Sequence, residues 1–342
     1  MSACSAATLR LRRRVMNLTR FALRACRSIA PNLYHPPANV LLPYAHLVTD
    51  VVPAHIKHLY TAPSIAKFKA DIAFLCSNFQ PLAIGDMEEL LSQRQARSSP
   101  WRFILSFDDG LREVYDVIAP ILIAEGIPAI FFVNSATIDN RQLMWRHKVS
   151  LLIDRIQRQP QRIPPEIQLR SGETLAEALR AIRCSADCAL DDLARFLEID
   201  FDEYVAREKP YLTSSQMLEL AQAGFSFGAH SHSHPNFGEL PLEGQRDEID
   251  RSVSFIRSLG LPCAYFAFPF NDIAVPLAVF EHLAQQRLVL SFGTSEARVD
   301  SVAFSFQRFA LDARYGVLET LKELSVKSLA RRLSGTEIIL RH

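Results

Sequence analysis

Two short stretches carry the residue types that do chemistry. Asp108 and Asp109 stand side by side at the end of FILSFDDGL, residues 103–111. His230, His232 and His234 alternate with serines in GAHSHSHPNF, residues 228–237. Adjacent carboxylates repel, so a strand that runs into them has a use for negative charge. In an extended chain the three imidazoles point one way; in a helical turn His230 and His234 share a face. Either way at least two imidazoles converge. Two imidazole nitrogens and one carboxylate oxygen suit a borderline-soft divalent cation and leave positions open for water and substrate, the pattern of a catalytic site. One carboxylate of the pair then binds the ion, and the other takes a proton from an activated water. Taken singly, an Asp-Asp-Gly triplet is common turn chemistry and alternating histidines occur in solvated loops. Taken together, each after an apolar run, they favour a metal.

The elements around these stretches must bring them to one place. Phe103 to Phe107 is an apolar run suited to a buried parallel strand. A stripe of Val114, Val117, Ile118, Ile121 and Leu122 predicts a helix, kinked or restarted at Pro120 and stopped by Gly126. Ala129 to Val133 is a second buried strand, which completes a βαβ unit. The carboxylates therefore stand at the carboxyl end of a strand, the edge where α/β folds bind ligands. Further strands are predicted over Leu41–Val48, carrying His46, and over Phe225–Ala229, Tyr265–Phe268 and Leu288–Phe292. Helices are predicted over Ser64–Cys76 and from the Thr213/Gln216 capping box to Ala221. Residues 141–209 read as a mostly helical insertion, either a lid over the cleft or an added packing layer.

The spelling of these stretches resembles the polysaccharide deacetylases, the NodB-homology or carbohydrate esterase family 4 group. Ser106-Phe107-Asp108-Asp109-Gly110 looks like that family's first motif. His230 to Pro235 looks like its second, and Phe266-Ala267-Phe268-Pro269-Phe270 like a variant of its third. The resemblance runs from about Val40 to Asp312. It implies an α/β fold, a distorted (β/α)7-type barrel with the metal at the carboxyl-end rim. It implies Asp109, His230 and His234 as ligands of a divalent ion, usually zinc, and Asp108 as general base. Pro269 and Phe270 would meet the substrate, the Phe270 amide facing the oxyanion. The reaction implied is removal of an N-acetyl group from a carbohydrate. The sequence departs from the family twice. Ala267 stands where many members carry an arginine that braces the base, and Arg308 is the replacement considered. No late histidine on an apolar strand offers a general acid; Asp272, His46 and His232 are the stand-ins. These departures keep two other readings open: hydrolysis of a small or cyclic amide, or an inactive metal-binding module that recognises glycans.

Bulk properties set the remaining limits. The 342 residues carry a formal net charge of +1, with 49% hydrophobic and 22% charged residues, an ordinary globular composition without a nucleic-acid signature. The six cysteines form no CxxC pair, which fits thiols in a reducing compartment. Arg10, Arg12, Arg13, Arg14, Arg20, Arg24 and Arg27 precede the first acidic residue, Asp50. Residues 1–34 thus read as a basic arm before a deacetylase-like domain over 35–342. Lacking a long apolar run, the arm suits an anionic membrane surface or plain solvation. A cytoplasmic protein, peripheral to the inner membrane face, is the location expected.

Overall fold

A computed structural model describes residues 39–87, 101–159, 174–182, 184, 187–311 and 315–342. The basic arm, the loop expected over Arg94–Pro100 and most of the Pro-rich stretch Gln159–Pro165 lie outside the described residues.

Strands and helices alternate as the apolar runs predict. In chain order they are β1 (Pro43–Ala45), α1 (Ile65–Asn78), β2 (Leu105–Phe107), α2 (Ala119–Glu125), β3 (Ala129–Val133), α3 (Trp145–Arg158), α4 (Leu175–Arg180), α5 (Asp187–Phe196), α6 (Phe201–Glu208), α7 (Ser214–Gln222), β4 (Ser226–Ala229), α8 (Leu242–Ser258), β5 (Tyr265–Ala267), α9 (Leu277–Gln285), β6 (Leu290–Gly293), β7 (Ser305–Gln307), β8 (Phe309–Ala310) and α10 (Val317–Ser334). The strands form one parallel sheet in the order β7-β6-β5-β4-β3-β2-β1-β8. The first and last members are halves of one run, Ser305–Ala310, interrupted only at Arg308. Its first half pairs with β6 and its second with β1. That single broken run closes the sheet into a distorted barrel, so eight segments make seven staves.

Alternation along the strands separates two cores. Ile130, Phe132, Leu290, Phe292 and Phe306 fill the interior. Phe131, Val133 and Phe266 face outward and pack with Phe68 and Ile72 of α1, Val253 and Ile256 of α8 and Leu321 and Leu324 of α10. Gly228 is required where β4 passes the interior: a Cβ there would stand 2.4 Å from the Phe132 ring.

Ala129–Val133 forms as expected, while other strands are shorter than the apolar runs that predicted them. The run through His46 breaks at Leu42 and ends at Ala45, and the run Phe103–Phe107 breaks at Ile104. Below these breaks the same chains pair with Gln80–Pro81 in a small three-stranded sheet. The stripe starting at Val114 opens as a wide turn through Ile118 before α2 continues from Ala119 with Pro120 in its first turn. Gly126 ends α2 in the left-handed conformation, φ 66°. The capping box at Thr213 forms as expected.

The insertion, α3 to α6, builds a core of its own from residues such as Leu152, Leu190, Leu197 and Val205. That core also takes in Leu47, Ile56 and Leu111 from the loops at the barrel's carboxyl rim. The insertion is therefore a packing layer fixed on the rim. Its first helical turn, at Met144, Arg146 and His147, walls the pocket there.

Candidate active site

The carboxyl ends of β1, β2, β4 and β5 meet around a pocket of about 200 Å³. Asp108 and Asp109 follow β2 directly, and the last bond across to β1 is from the Asp108 amide to the Ala45 carbonyl at 2.9 Å. Asp109 takes φ 72° and Gly110 φ 63°, the left-handed pair that turns the chain back over the rim. A Cβ on Gly110 would also crowd Val133 and Ile138 at 3.2 Å. His230 and His234 follow β4. Ser231 and His234 are left-handed as well, and Phe270 after β5 has φ 57°. Non-glycine residues in this conformation cost energy, and here they gather at one site.

One atom each from Asp109, His230 and His234 lie within 4.8 Å of one another, and all three residues are buried. His230 Nε2 is 3.6 Å and His234 Nε2 3.3 Å from Asp109 Oδ1. His230 donates from Nδ1 to the Ala267 carbonyl at 2.8 Å, which leaves its Nε2 lone pair facing the carboxylate. Burial holds both rings below the usual imidazole range, with Asp108 and Asp109 opposing the shift at His230, and His230 reinforcing it at His234. The His230 Nε2 lone pair aimed at a carboxylate oxygen puts lone pair against lone pair. A divalent cation relieves that repulsion, so the residues present fit one.

His232 does not join them. Its Nδ1 meets Ser135 Oγ at 2.7 Å, and its Nε2 accepts from Arg251 at 2.5 Å. The alternating histidines thus resolve as a turn, with His230 and His234 on one side and His232 on the other. Buried Glu248 of α8 staples that turn. It accepts from the His232 and Ser233 amides at 2.8 Å each and from Ser233 Oγ at 2.6 Å. Trp145 Nε1 donates to the His234 carbonyl at 3.0 Å. Nothing in the sequence around Glu248 marks this role.

Asp108 is bound by Arg308, two donors to two oxygens at 2.7 Å each. Arg308 is 1% exposed and sits at the break between β7 and β8. Burial pushes Asp108 up, and the Arg308 guanidinium, with His230 and His46, brings it below the usual carboxylate range. The brace missing at Ala267 is supplied from the closing strand. A charged residue inside the apolar run Phe304–Leu311 is the signal that points to it.

The acid candidates separate cleanly. His46 lines the pocket, its ring stacked on Tyr60 at 4.4 Å. Asp272 is buried in an ion pair with Arg341 and a 2.8 Å bond from Gln307 Nε2, away from the pocket lining. Phe270 lines the pocket, and its carbonyl accepts from Thr294 Oγ1. Pro269 is buried behind it and does not line the cavity. Phe227 and Phe237 belong to the core.

A family model for polysaccharide deacetylases matches residues 97–279. The chain belongs to the polysaccharide deacetylase family. Members are hydrolases of carbon–nitrogen bonds other than peptide bonds. No curated protein matches the sequence. The deacetylase fold is also seen in the Streptococcus pyogenes deacetylase PplD, solved in complex with acetate, at 15% identity over 85% of this chain and 96% of that one, with TM-score 0.54. IcaB from Ammonifex degensii aligns at 15% identity over 84% and 98%, TM-score 0.52. BC0361, a polysaccharide deacetylase from Bacillus cereus, aligns at 12% over 83% and 68%, TM-score 0.51. At such identities the likeness speaks for the barrel of this deacetylase alone.

Proposed function

We propose that the chain is a metal-dependent N-deacetylase of a carbohydrate, a polysaccharide or a glycan precursor. The observation that carries this reading is the meeting, in one pocket, of the Asp109–His230–His234 cluster with a second carboxylate, Asp108, held by its own buried guanidinium. A divalent ion held by Asp109, His230 and His234, zinc by the family's habit, would supply an acidified water and polarise the acetamide carbonyl. Asp108 accepts the proton of the attacking water. Arg308 keeps that carboxylate charged and in a single orientation. The Phe270 amide, which donates to no described residue, is offered to the developing oxyanion. His46, the only one of the three acid candidates in the lining, gives a proton to the departing amine. The products are the free amino sugar and acetate.

Acetate release from N-acetylated oligosaccharides by metal-loaded protein tests this. Asp108→Asn should keep its metal and lose about 10²–10⁴-fold in kcat, and His46→Ala should fall within the same range. Asp109→Ala, His230→Ala and His234→Ala should each lose the metal, while His232→Ala keeps it. Metal retained by all three ligand variants, or wild-type protein releasing no acetate from any N-acetylated sugar, would refute the reading. Arg308 at Asp108 removes the main motive for an inactive glycan-binding module.

The arm over residues 1–34 is proposed to hold a cytoplasmic enzyme against an anionic membrane face. No helix among the described residues is long and apolar enough to cross a membrane. Unchanged partition onto anionic liposomes after deletion of residues 1–34 would end that proposal.

A further inference from the structure

One wall of the pocket is the first turn of α3, packed against the segments after β4 and β5, and its chemistry is positive. Arg146 lines the cavity with its guanidinium 5.4 Å from the centre of the Phe270 ring. It makes no ion pair with any described residue. The only carboxylates in the lining are Asp108 and Asp109. Asp108 has its counter-charge in Arg308, and Asp109 belongs to the cation cluster. Among the charges around Arg146, Asp109 attracts it, and Arg180, outside the lining and bonded through Nε to the His58 carbonyl at 2.9 Å, repels it.

His147, one residue on, is 1% exposed and also lines the cavity. The Tyr211 hydroxyl accepts from the Met144 amide at 2.9 Å and lies 2.6 Å from His147 Nδ1. That contact ties the ring to Tyr211 at the edge of the cavity. α3 carries no acidic residue in its first turn and no side-chain cap, so its amino end adds positive potential on the same side. Arg146 and the helix end both bring positive charge to this wall.

We propose that the substrate is an anionic N-acetylated sugar, whose carboxylate or phosphate is held by Arg146 at the amino end of α3 while the acetamido group lies at the cation cluster. This deepens the deacetylase reading and rests on it. With Asp109 committed to a cation, a neutral glycan would leave the Arg146 guanidinium half-buried against aromatic faces, whereas an anion turns it into a charge-assisted hydrogen-bond partner. Phe270 keeps Arg146 extended along the wall and offers a flat apolar face to the sugar ring.

The experiment compares N-acetylglucosamine 1-phosphate, N-acetylmuramic acid and neutral chitotriose as substrates for wild-type, Arg146→Gln and Arg146→Lys protein. The expected result is a higher kcat/KM for at least one charged sugar than for chitotriose. Arg146→Gln should raise KM for that sugar about tenfold or more with kcat nearly kept. Arg146→Lys should recover part of the loss, and chitotriose kinetics should change far less than those of the charged sugar. A response to the phosphate or to the carboxylate sugar alone identifies which anion the wall accepts. The proposal is overturned if chitotriose is the best substrate, or if Arg146→Gln slows charged and neutral sugars alike, since Arg146 would then act on the reacting amide or on the fold. Calorimetry on metal-free protein gives a readout independent of turnover: N-acetylglucosamine 1-phosphate should bind tighter than N-acetylglucosamine, and Arg146→Gln should abolish the difference. That preference without acetate release from any sugar supports the anion site and counts against deacetylation. Equal binding of the two sugars overturns the anion site, whatever the turnover.

Discussion

Arg308 carries a positive charge into the barrel interior, where its guanidinium lies 4.6 Å from the Tyr44 ring centre and 5.2 Å from that of Phe132. Such a charge is tolerable only because Asp108 meets it with both oxygens and Ser106 Oγ takes a third bond at 3.1 Å. The pair is a device for positioning the carboxylate, and its cost appears when one member is removed. Arg308→Met would leave the Asp108 charge buried without its partner. Chemical denaturation should then show a loss of about 3–5 kcal/mol. Deacetylation should fall about 10–100-fold even where the fold survives, while metal content stays near that of the wild type. Full activity in Arg308→Met would mean that Asp108 needs no brace. The Lys variant is a sharper control, because it keeps the charge but cannot reproduce the two-pronged geometry.

Helix α8 shows how an element can serve the site without touching it. It packs Ile249, Val253 and Ile256 into the outer core and in doing so holds Glu248 under the turn that carries the histidines. Two backbone amides and one hydroxyl converge on that carboxylate, so the turn's left-handed residues are held against their intrinsic preference. Glu248→Gln keeps the shape and one acceptor but loses the charge-assisted bonds. The expected outcome is a stability loss of about 1–3 kcal/mol and a metal affinity reduced about 10–100-fold, read by thermal melting and by metal titration. An unaltered metal affinity would show that the turn holds its shape without the staple. α3 plays a comparable part from the other side, since Trp145 ties the His234 carbonyl and the next two side chains wall the pocket.

At the scale of the whole molecule the barrel is closed by a strand that changes partners halfway, and the break is secured from behind. Gln307 Nε2 donates to Asp272 at 2.8 Å, and Asp272 and Asp300 share the guanidinium of Arg341, next to last in the chain. This buried triad ties the chain's end to the loop after β5 and to the strand segment Val299–Asp300, which pairs with Ile338–Ile339. Arg341→Met would leave two buried carboxylates facing each other. Denaturation should report a loss of about 3–5 kcal/mol, while kcat measured on protein still folded at low temperature stays near wild type, because no member of the triad lines the pocket. A change below about 1 kcal/mol would show that the closing strand holds without this tie.

Apolar runs ending in Asp108-Asp109 and in His230 to His234 were enough to place both stretches at the carboxyl rim of an α/β fold. A residue's periodicity reports what its own neighbours along the chain can bury, and each strand of the barrel is such a local unit. The same logic predicted the capping box at Thr213 and the stop at Gly126. Periodicity has no reach across sequence, and the decisive contacts are long-range: Arg308 and Asp108 are 200 positions apart. Which histidine turns away depended on the left-handed backbone of Ser231 and His234 and on Glu248, none of which alternation encodes. The positive wall at Arg146 arose only when the insertion's first turn was packed onto the rim, because the direction a helix end faces is set by the core beneath it and not by its own residues.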